Sequence, residues 1–465
     1  MSSLLKIAFR NILRNRRRSG MTGSAVAAGA LAMLLFGGFA GAIFTQIETA
    51  NVERIGHLTV FRAGYFLFGA GNPAGYGIDH YRDVMALIGN DPVLGPMINV
   101  ITPTQSLVGI AGNFSGTNDA AKTFLGTGLV PSDRDRMREW NEYGTAAPYT
   151  PDHRLADNDE TRGLVGGGLA RILGLCAELK LTDCPAPPAS TDEAEGPVSA
   201  EIADLAAREK GDTTQADGMP EIDLLAATAQ GAPNIVRLSV SGAEPQGVKE
   251  LDDNYVAMHL ALAQQLVYGR GEHKVTGIVL QLHRSEDLRA ARARLEGLIA
   301  AKKLPLEVRD FGEINPFYGQ VVRLFGAIFL FIALVMGVIV LFAVVNTMTM
   351  NVMERTNEIG TIRALGLRRG VIRRQFVAEG LILGALGATA GIVLALAAAI
   401  LINHAGLTWV PPGNANSVPL RVALWGRPVL ILGTWFVLVL VATLAALFPA
   451  NRAARLPVVD ALRHV

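Results

Sequence analysis

The chain has 465 residues, 50% of them hydrophobic and only 18% charged, with a formal net charge of +1 and a mean hydropathy of +0.32. Soluble globular chains carry about 25% charged residues, so an ordinary cytosolic enzyme is excluded. The apolar content excludes wholesale disorder, and two cysteines exclude a disulfide scaffold.

In chain order, residues 1–19 form a basic, amphipathic helical stretch with Lys6, Arg10, Arg14, Arg16, Arg17 and Arg18. The 29 uncharged residues between Arg18 and Glu48 predict a first membrane span at 20–45. Its apolar part is about twice the length of a signal-peptide core, so it reads as a retained anchor.

Residues 46–322 hold 24 Lys and Arg against 37 Asp and Glu, a balance of −13. They predict a large α/β domain, with strands at 57–61, 235–241, 275–282 and 306–311 and helices at 133–143, 254–268 and 285–302. Residues 185–233 begin Pro185-Ala186-Pro187-Pro188, are rich in Ala, Glu and Asp, and read as a mobile insertion. Cys176 and Cys184 form an even pair in this domain, which outside the cytoplasm favours a structural disulfide. No Cys-x-x-Cys and no nearby His suggests a metal site there.

A second run of 30 uncharged residues, between Arg323 and Glu354, predicts a span with a stalk at 323–352. Residues 353–375 are a basic connection. Runs of 41 and 24 uncharged residues place spans at 376–402 and 428–448, joined by a short loop at 403–427 and followed by a basic tail at 449–465. Outside 46–322 the chain holds 18 Lys and Arg against 4 Asp and Glu, a balance of +14. The positive-inside rule then predicts cytoplasmic termini and a cytoplasmic 353–375, with 46–322 and 403–427 outside.

No lysine follows a glycine, so the chain carries no Gly-Lys-Ser/Thr phosphate loop and is expected to be no ATPase of that class. His-Glu-x-x-His and Gly-x-Ser-x-Gly are absent, and the eight histidines are scattered, so no catalytic residue, metal site or cofactor is expected. The span interiors lack ionisable groups, which argues against a proton-coupled transporter or ion channel. Gly37 and Gly41, Gly380 and Gly384, and Gly387 and Gly391 have the spacing of close helix packing in membranes. Asn346, the main strongly polar group of the second span, suits a helix–helix hydrogen bond. Glu379, at the edge of the third span, suits a pairing with Arg373 or Arg374, or a partner contact.

In the connection, Ile359, Ile362 and Leu365 share one helical face, while Glu354, Glu358 and Arg363 lie elsewhere. Gly360 and Gly366 permit close approach and a turn. The segment is either an interfacial helix or a docking element for a soluble partner.

Residues 354–366, Glu-Arg-Thr-Asn-Glu-Ile-Gly-Thr-Ile-Arg-Ala-Leu-Gly, with the Arg-rich sequence after them and Glu379-Gly380, resemble the coupling segment of FtsX/MacB-type (type VII) ABC transporter permeases. Residues 449–463, Pro-Ala-Asn-Arg-Ala-Ala-Arg-Leu-Pro-Val-Val-Asp-Ala-Leu-Arg, are similar to that family's closing motif, and residues 8–18 to its amphipathic first helix. Residues 56–65 and the layout of one span, a large domain and three spans are closest to the lipoprotein-releasing (LolC/LolE-like) members. The departures from that pattern are concentrated in residues 66–233.

The resemblance implies a fold of four transmembrane helices with a large α/β periplasmic domain between the first two, in a bacterial inner membrane. It implies a non-ATPase permease, paired with a second permease chain in a homo- or heterodimer, and two copies of a separate ATPase that binds ATP and Mg. Glu354, Arg355, Glu358, Ile359, Gly360, Ile362, Arg363, Ala364, Leu365 and Gly366 would couple to that ATPase, and 313–318 would be the upper hinge of the second span. Mechanotransmission would then extract or export a lipoprotein, lipid or other amphipathic substrate, with membrane lipids and a periplasmic acceptor as partners and no nucleic acid. The alternatives are a signalling permease that moves a periplasmic cell-wall hydrolase, and an external enzyme on a membrane anchor.

Overall fold

The computed structural model describes residues 2–69, 71–114, 120–144, 155–181, 184, 219–269, 273–410 and 417–457. The elements are α1 (Ser2–Arg14), α2 (Arg16–Ile55), β1 (Leu58–Arg62), α3 (Tyr81–Gly89), β2 (Ile98–Asn113), β3 (Ala120–Leu129), α4 (Pro131–Arg138), β4 (Arg162–Val165) and α5 (Gly167–Ile172). There follow β5 (Glu221–Ala227), β6 (Pro233–Ala243), α6 (Lys249–Asp252), β7 (Tyr255–His259), α7 (Leu260–Tyr268), β8 (Gly277–Leu282), α8 (Leu288–Lys302), β9 (Leu306–Asp310) and α9 (Phe311–Ile314). The last are α10 (Pro316–Glu354), α11 (Thr356–Ala364), α12 (Arg369–His404), β10 (Thr408–Trp409), β11 (Val418–Pro419) and α13 (Pro428–Arg455). The chain divides into two compact units, one of residues 1–46, 317–409 and 418–465, the other of residues 47–316 and 410–417.

In the first unit, α2, α10, α12 and α13 are 40, 39, 36 and 28 residues long and apolar enough to cross a membrane. A span needs about 20 residues, so the protein is a membrane protein with four candidate spans. Their contacts depend on small residues. A Cβ on Gly384 would lie 2.7 Å from that of Ala442, and one on Gly380 would collide with Ala446, so both glycines seat α12 against α13. One turn further, a Cβ on Gly387 would lie 2.7 Å from that of Val26, and one on Gly391 would lie 2.5 Å from the Ala27 carbonyl, which seats α12 against α2. Gly37 sits against Leu430, and Gly41 gives its carbonyl to Arg427 at 2.7 Å. Asn346 does not bridge helices as its polarity suggested. It is exposed, and the hydroxyls of Thr22 and Thr347 make the buried bond between α2 and α10 at 2.5 Å.

In the second unit, β2 is the common strand. Its residues 98–104 pair with β8, while 105–113 pair with β3 and 109–112 also with β5. The ladders β2–β3, β3–β7, β7–β4, β4–β6, β6–β5 and β5–β2 close a ring of six strands. Leu107, Phe124, Leu224, Leu238 and Met258 fill it together with Leu262 and Leu266 of α7. The rest of the sheet runs β2–β8–β1–β9, with Leu58, Val60, Ile278, Leu280 and Val308 packed under Ala291, Leu295 and Ile299 of α8.

Two expectations change. Residues 255–259 of the helix expected at 254–268 form β7, whose Tyr255–Met258 stretch is buried on both faces, so an apolar run there mimics a helix stripe. The expected mobile insertion at 185–233 is too long. Residues 185–218 lie outside the described residues, whereas β5 and the first residue of β6 are ordered strand. Ile222, Leu224 and Ala226 alternate inward along β5, and this short period is hidden in an acidic, alanine-rich context.

Candidate coupling site

The connection between α10 and α12 is one short helix, α11, and a turn. Gly366, at φ +92°, supplies a backbone conformation that L side chains resist. The expected connection at 353–375 is therefore divided: α10 continues to Glu354, and α12 takes everything from Arg369.

Two of the expected partner-facing residues are used inside the chain. Ile359 is 6% exposed and packs with Val352, Ile372, Phe376, Ala450 and Ala453. It anchors α11 to α10, α12 and α13, so the side chain expected to face a partner is packed inside the chain. Arg355 is buried too, and its Nη1 donates to Glu379 Oε1 at 3.3 Å, with side-chain exposures of 9% and 1%. Asn11 Nδ2 donates to the same oxygen at 2.6 Å. The expected pairing of Glu379 with Arg373 or Arg374 is thus replaced by a network of α1, α12 and the residue before α11. Asn11 is 368 positions away in sequence, so no local pattern announces it. Gly360 is buried beside Ile359.

The remaining polar residues tie α11 and the end of α10 to the N-terminal helices and to the residue after α13. Glu358 Oε1 accepts from Arg14 Nη2 at 2.8 Å, in an exposed pair. Glu354 accepts from Arg18, and from Asn15 Nδ2 at 3.3 Å. Arg363 donates to the Leu456 carbonyl just after α13. What stays uncovered is an apolar edge: Ile362, Leu365 and Leu367 are exposed, and Leu365 is 83% exposed.

The second unit offers a Ser–His contact that must be weighed as chemistry. His57 Nδ1 accepts from the Leu282 N–H at 3.0 Å, so Nε2 carries the proton and donates to Ser285 Oγ at 3.1 Å. A general base needs the opposite tautomer. Burial also pushes the His57 imidazole down to about 4, with Trp140 edge-on at 5.2 Å. The contact is structural. Among the described residues no cluster of three or more His, Cys, Asp or Glu could hold a metal. Cys176 and Cys184 are disulfide-bonded, with Cα atoms 6.1 Å apart.

Residues 330–458, from within α10 to the end of α13, match the family described as FtsX-like permease C-terminal. The ABC transporter permease YtrF of Bacillus subtilis (strain 168) is 31% identical over 138 residues, which cover 29% of this chain and 31% of that protein. The uncharacterized ABC transporter permease YknZ of the same organism is 27% identical over 204 residues, 42% of this chain and 46% of YknZ. The macrolide export ATP-binding/permease protein MacB of Shewanella sp. (strain W3-18-1) is 31% identical over 201 residues, 41% of this chain and 28% of that protein. The chain thus spans less than half the length of each of these relatives.

Proposed function

We propose that the chain works as an ABC transporter permease of the FtsX/MacB type and carries motion from cytoplasmic ATPases to a domain on the outer face of a bacterial inner membrane, a reading supported by the match of residues 330–458 and by the permeases it resembles. The observation that carries the reading is the apolar edge of Ile362, Leu365 and Leu367, standing on a connection whose other side is fixed by Ile359 and Arg355. A lever must be stiff where it is pushed, and burial of Ile359 with the Arg355–Glu379–Asn11 network supplies the stiffness. Exposed ion pairs contribute little to docking, so apolar anchors carry the partner contact.

These 465 residues contain no Gly-Lys-Ser/Thr, so the ATP-binding part of the assembly lies outside them. Two permease chains pair, and each takes one ATPase. The basic N-terminus, the connection and the tail face the cytoplasm, and residues 47–316 work outside. Helices of 40 and 39 residues are about 60 Å long, about twice the hydrocarbon core, so α2 and α10 transmit movement beyond the bilayer. The substrate is hydrophobic or amphipathic, a lipoprotein or lipid, handled at the outer face and not through an aqueous path.

Leu365→Asp is the direct test. It places a charge in the docking edge without touching the packed side of α11. Co-purification of the ATPase and stimulated ATP turnover are expected to be lost, with expression and thermal midpoint unchanged. Undiminished stimulation in that variant overturns the docking role. Ile359→Asp is expected instead to lower the thermal midpoint, because it buries a charge among Ile372 and Phe376.

A further inference from the structure

Outside residues 46–322 the chain holds 18 Lys and Arg but only four carboxylates, Glu354, Glu358, Glu379 and Asp460. Arg18 takes Glu354, Arg14 takes Glu358 and Arg355 takes Glu379, while Asp460 lies outside the described residues. One-to-one pairing within this part of the chain therefore leaves a surplus of 14 cations.

Helix α1 sets part of that surplus beside apolar surface. Ala8 is fully buried, and Asn11, Ile12 and Asn15 are half-buried, so these positions form the face that packs on the chain. Two ridges stand on the other side. Phe9 and Leu13 are 47% and 45% exposed. Arg10 and Arg14 are exposed beside them, and Arg16 and Arg17 are exposed at the start of α2. Arg14 is taken by Glu358, and Arg16 Nε donates to the Leu13 carbonyl at 3.3 Å. The three described carboxylates are thus bonded to other arginines, not to Arg10, Arg16 or Arg17.

A bilayer surface satisfies both ridges at once, since its phosphates lie directly over its acyl chains. An acidic protein surface would meet the arginines and leave Phe9 and Leu13 without cover. Continuity points the same way: one residue, Asn15, separates α1 from α2, a candidate span, and Arg18 is the last charge before its 29 uncharged residues. Helix α1 is also tied to the coupling connection, through Asn11 to Glu379, Arg14 to Glu358 and Asn15 to Glu354.

We propose that α1 binds anionic phospholipid headgroups through Arg10, Arg16 and Arg17, with Phe9 and Leu13 among the acyl chains, and that this binding steadies the connection at α11. The cytoplasmic placing of that surface rests on the topology proposed above. The test uses symmetric bilayers and no ATPase, so it can fail while the coupling reading stands.

The full chain, labelled with bimane through Met21→Cys, is reconstituted in nanodiscs of phosphatidylcholine with a minor share of phosphatidylglycerol, one lipid or the other carrying bromine. Met21 is 73% exposed, and the native cysteines are disulfide-bonded and do not take the label. Quenching by brominated phosphatidylglycerol is expected to exceed its share of the bilayer by about fivefold or more, the effect of one arginine near an anionic surface. Arg10→Gln, Arg16→Gln and Arg17→Gln together are expected to return quenching to that share, and lysine at the same three positions to keep the enrichment. Amide hydrogen exchange across α11 is expected to be about fivefold slower with phosphatidylglycerol than in phosphatidylcholine alone, and to lose this difference in the glutamine variant. Quenching in proportion to lipid composition in the parent, or an enrichment that survives the glutamine replacements, would overturn the binding site. Exchange in α11 unmoved by phosphatidylglycerol would overturn the steadying of the connection. Lost ATPase co-purification in the glutamine variant with lipid enrichment unchanged would overturn the proposal by assigning these arginines to a protein partner.

Discussion

Glu379 is 1% exposed at the edge of an apolar helix, and it is tolerated there because Arg355 and Asn11 both donate to one of its oxygens. Removing one member of a buried pair leaves the other charge uncompensated, at a cost of about 3–5 kcal/mol. Glu379→Ala should therefore lower the thermal midpoint of the purified chain sharply, while the double replacement Arg355→Met with Glu379→Met should recover much of the loss. A single variant as stable as the parent would deny the pair its structural part. His57 gives a second residue-level expectation. Its folded-state pKa of about 4 lies below the ordinary 6.5, so the unfolded chain binds the extra proton first. The stability held by neutral His57 is complete above about pH 6.5 and is lost as pH falls toward 4, amounting to about 3 kcal/mol. His57→Gln should flatten the fall in thermal midpoint between pH 7 and pH 5, and a variant with the parental slope would contradict this.

At the scale of elements, α12 acts as a two-sided spacer. Gly380 and Gly384 meet α13, and Gly387 and Gly391 meet α2. Gly384→Leu inserts a branched side chain where even a Cβ lies 2.7 Å from Ala442, and overpacking of this kind costs about 1–3 kcal/mol. A lowered midpoint with retained helical circular dichroism is expected, and an unchanged midpoint would show that α12 and α13 separate freely. The glycine spacing and the long helices were legible in the sequence because lipid forbids charge over about 20 residues and the pattern is therefore local. Strands β1, β8 and β9 were legible from short β-branched runs. The hairpin of β2 and β3 was not, because β2 lies in three ladders and its inward set changes along its length, with the polar Gln105 buried. At the candidate site the exposure of Ile362 and Leu365 was legible, whereas the burial of Arg355 and Ile359 was not, because residues from α1, α12 and α13 decide what remains exposed.

For the whole molecule, the net charge of +1 is the sum of two unlike regions, −13 over residues 46–322 and +14 elsewhere. Residues 330–458, which match the FtsX-like permease C-terminal family, lie wholly within the basic part. In the second unit, the strand that follows α2 and the strand that precedes α9 and α10 are neighbours: β1 and β9 pair antiparallel, from Leu58 with Asp310 to Arg62 with Leu306. Asn315 Nδ2 donates to Asn51 Oδ1 at 2.9 Å beside that end, and Gln281 Nε2 to the Val52 carbonyl at 3.3 Å. Any pull that parts the end of α2 from the start of α10 would load this ladder as a zipper, one bonded pair at a time, and not in shear. Such a ladder resists separation weakly and rotation or translation of both strands together not at all. A load that parted the end of α2 from the start of α10 would therefore open β1 from β9 at the Leu58–Asp310 end first.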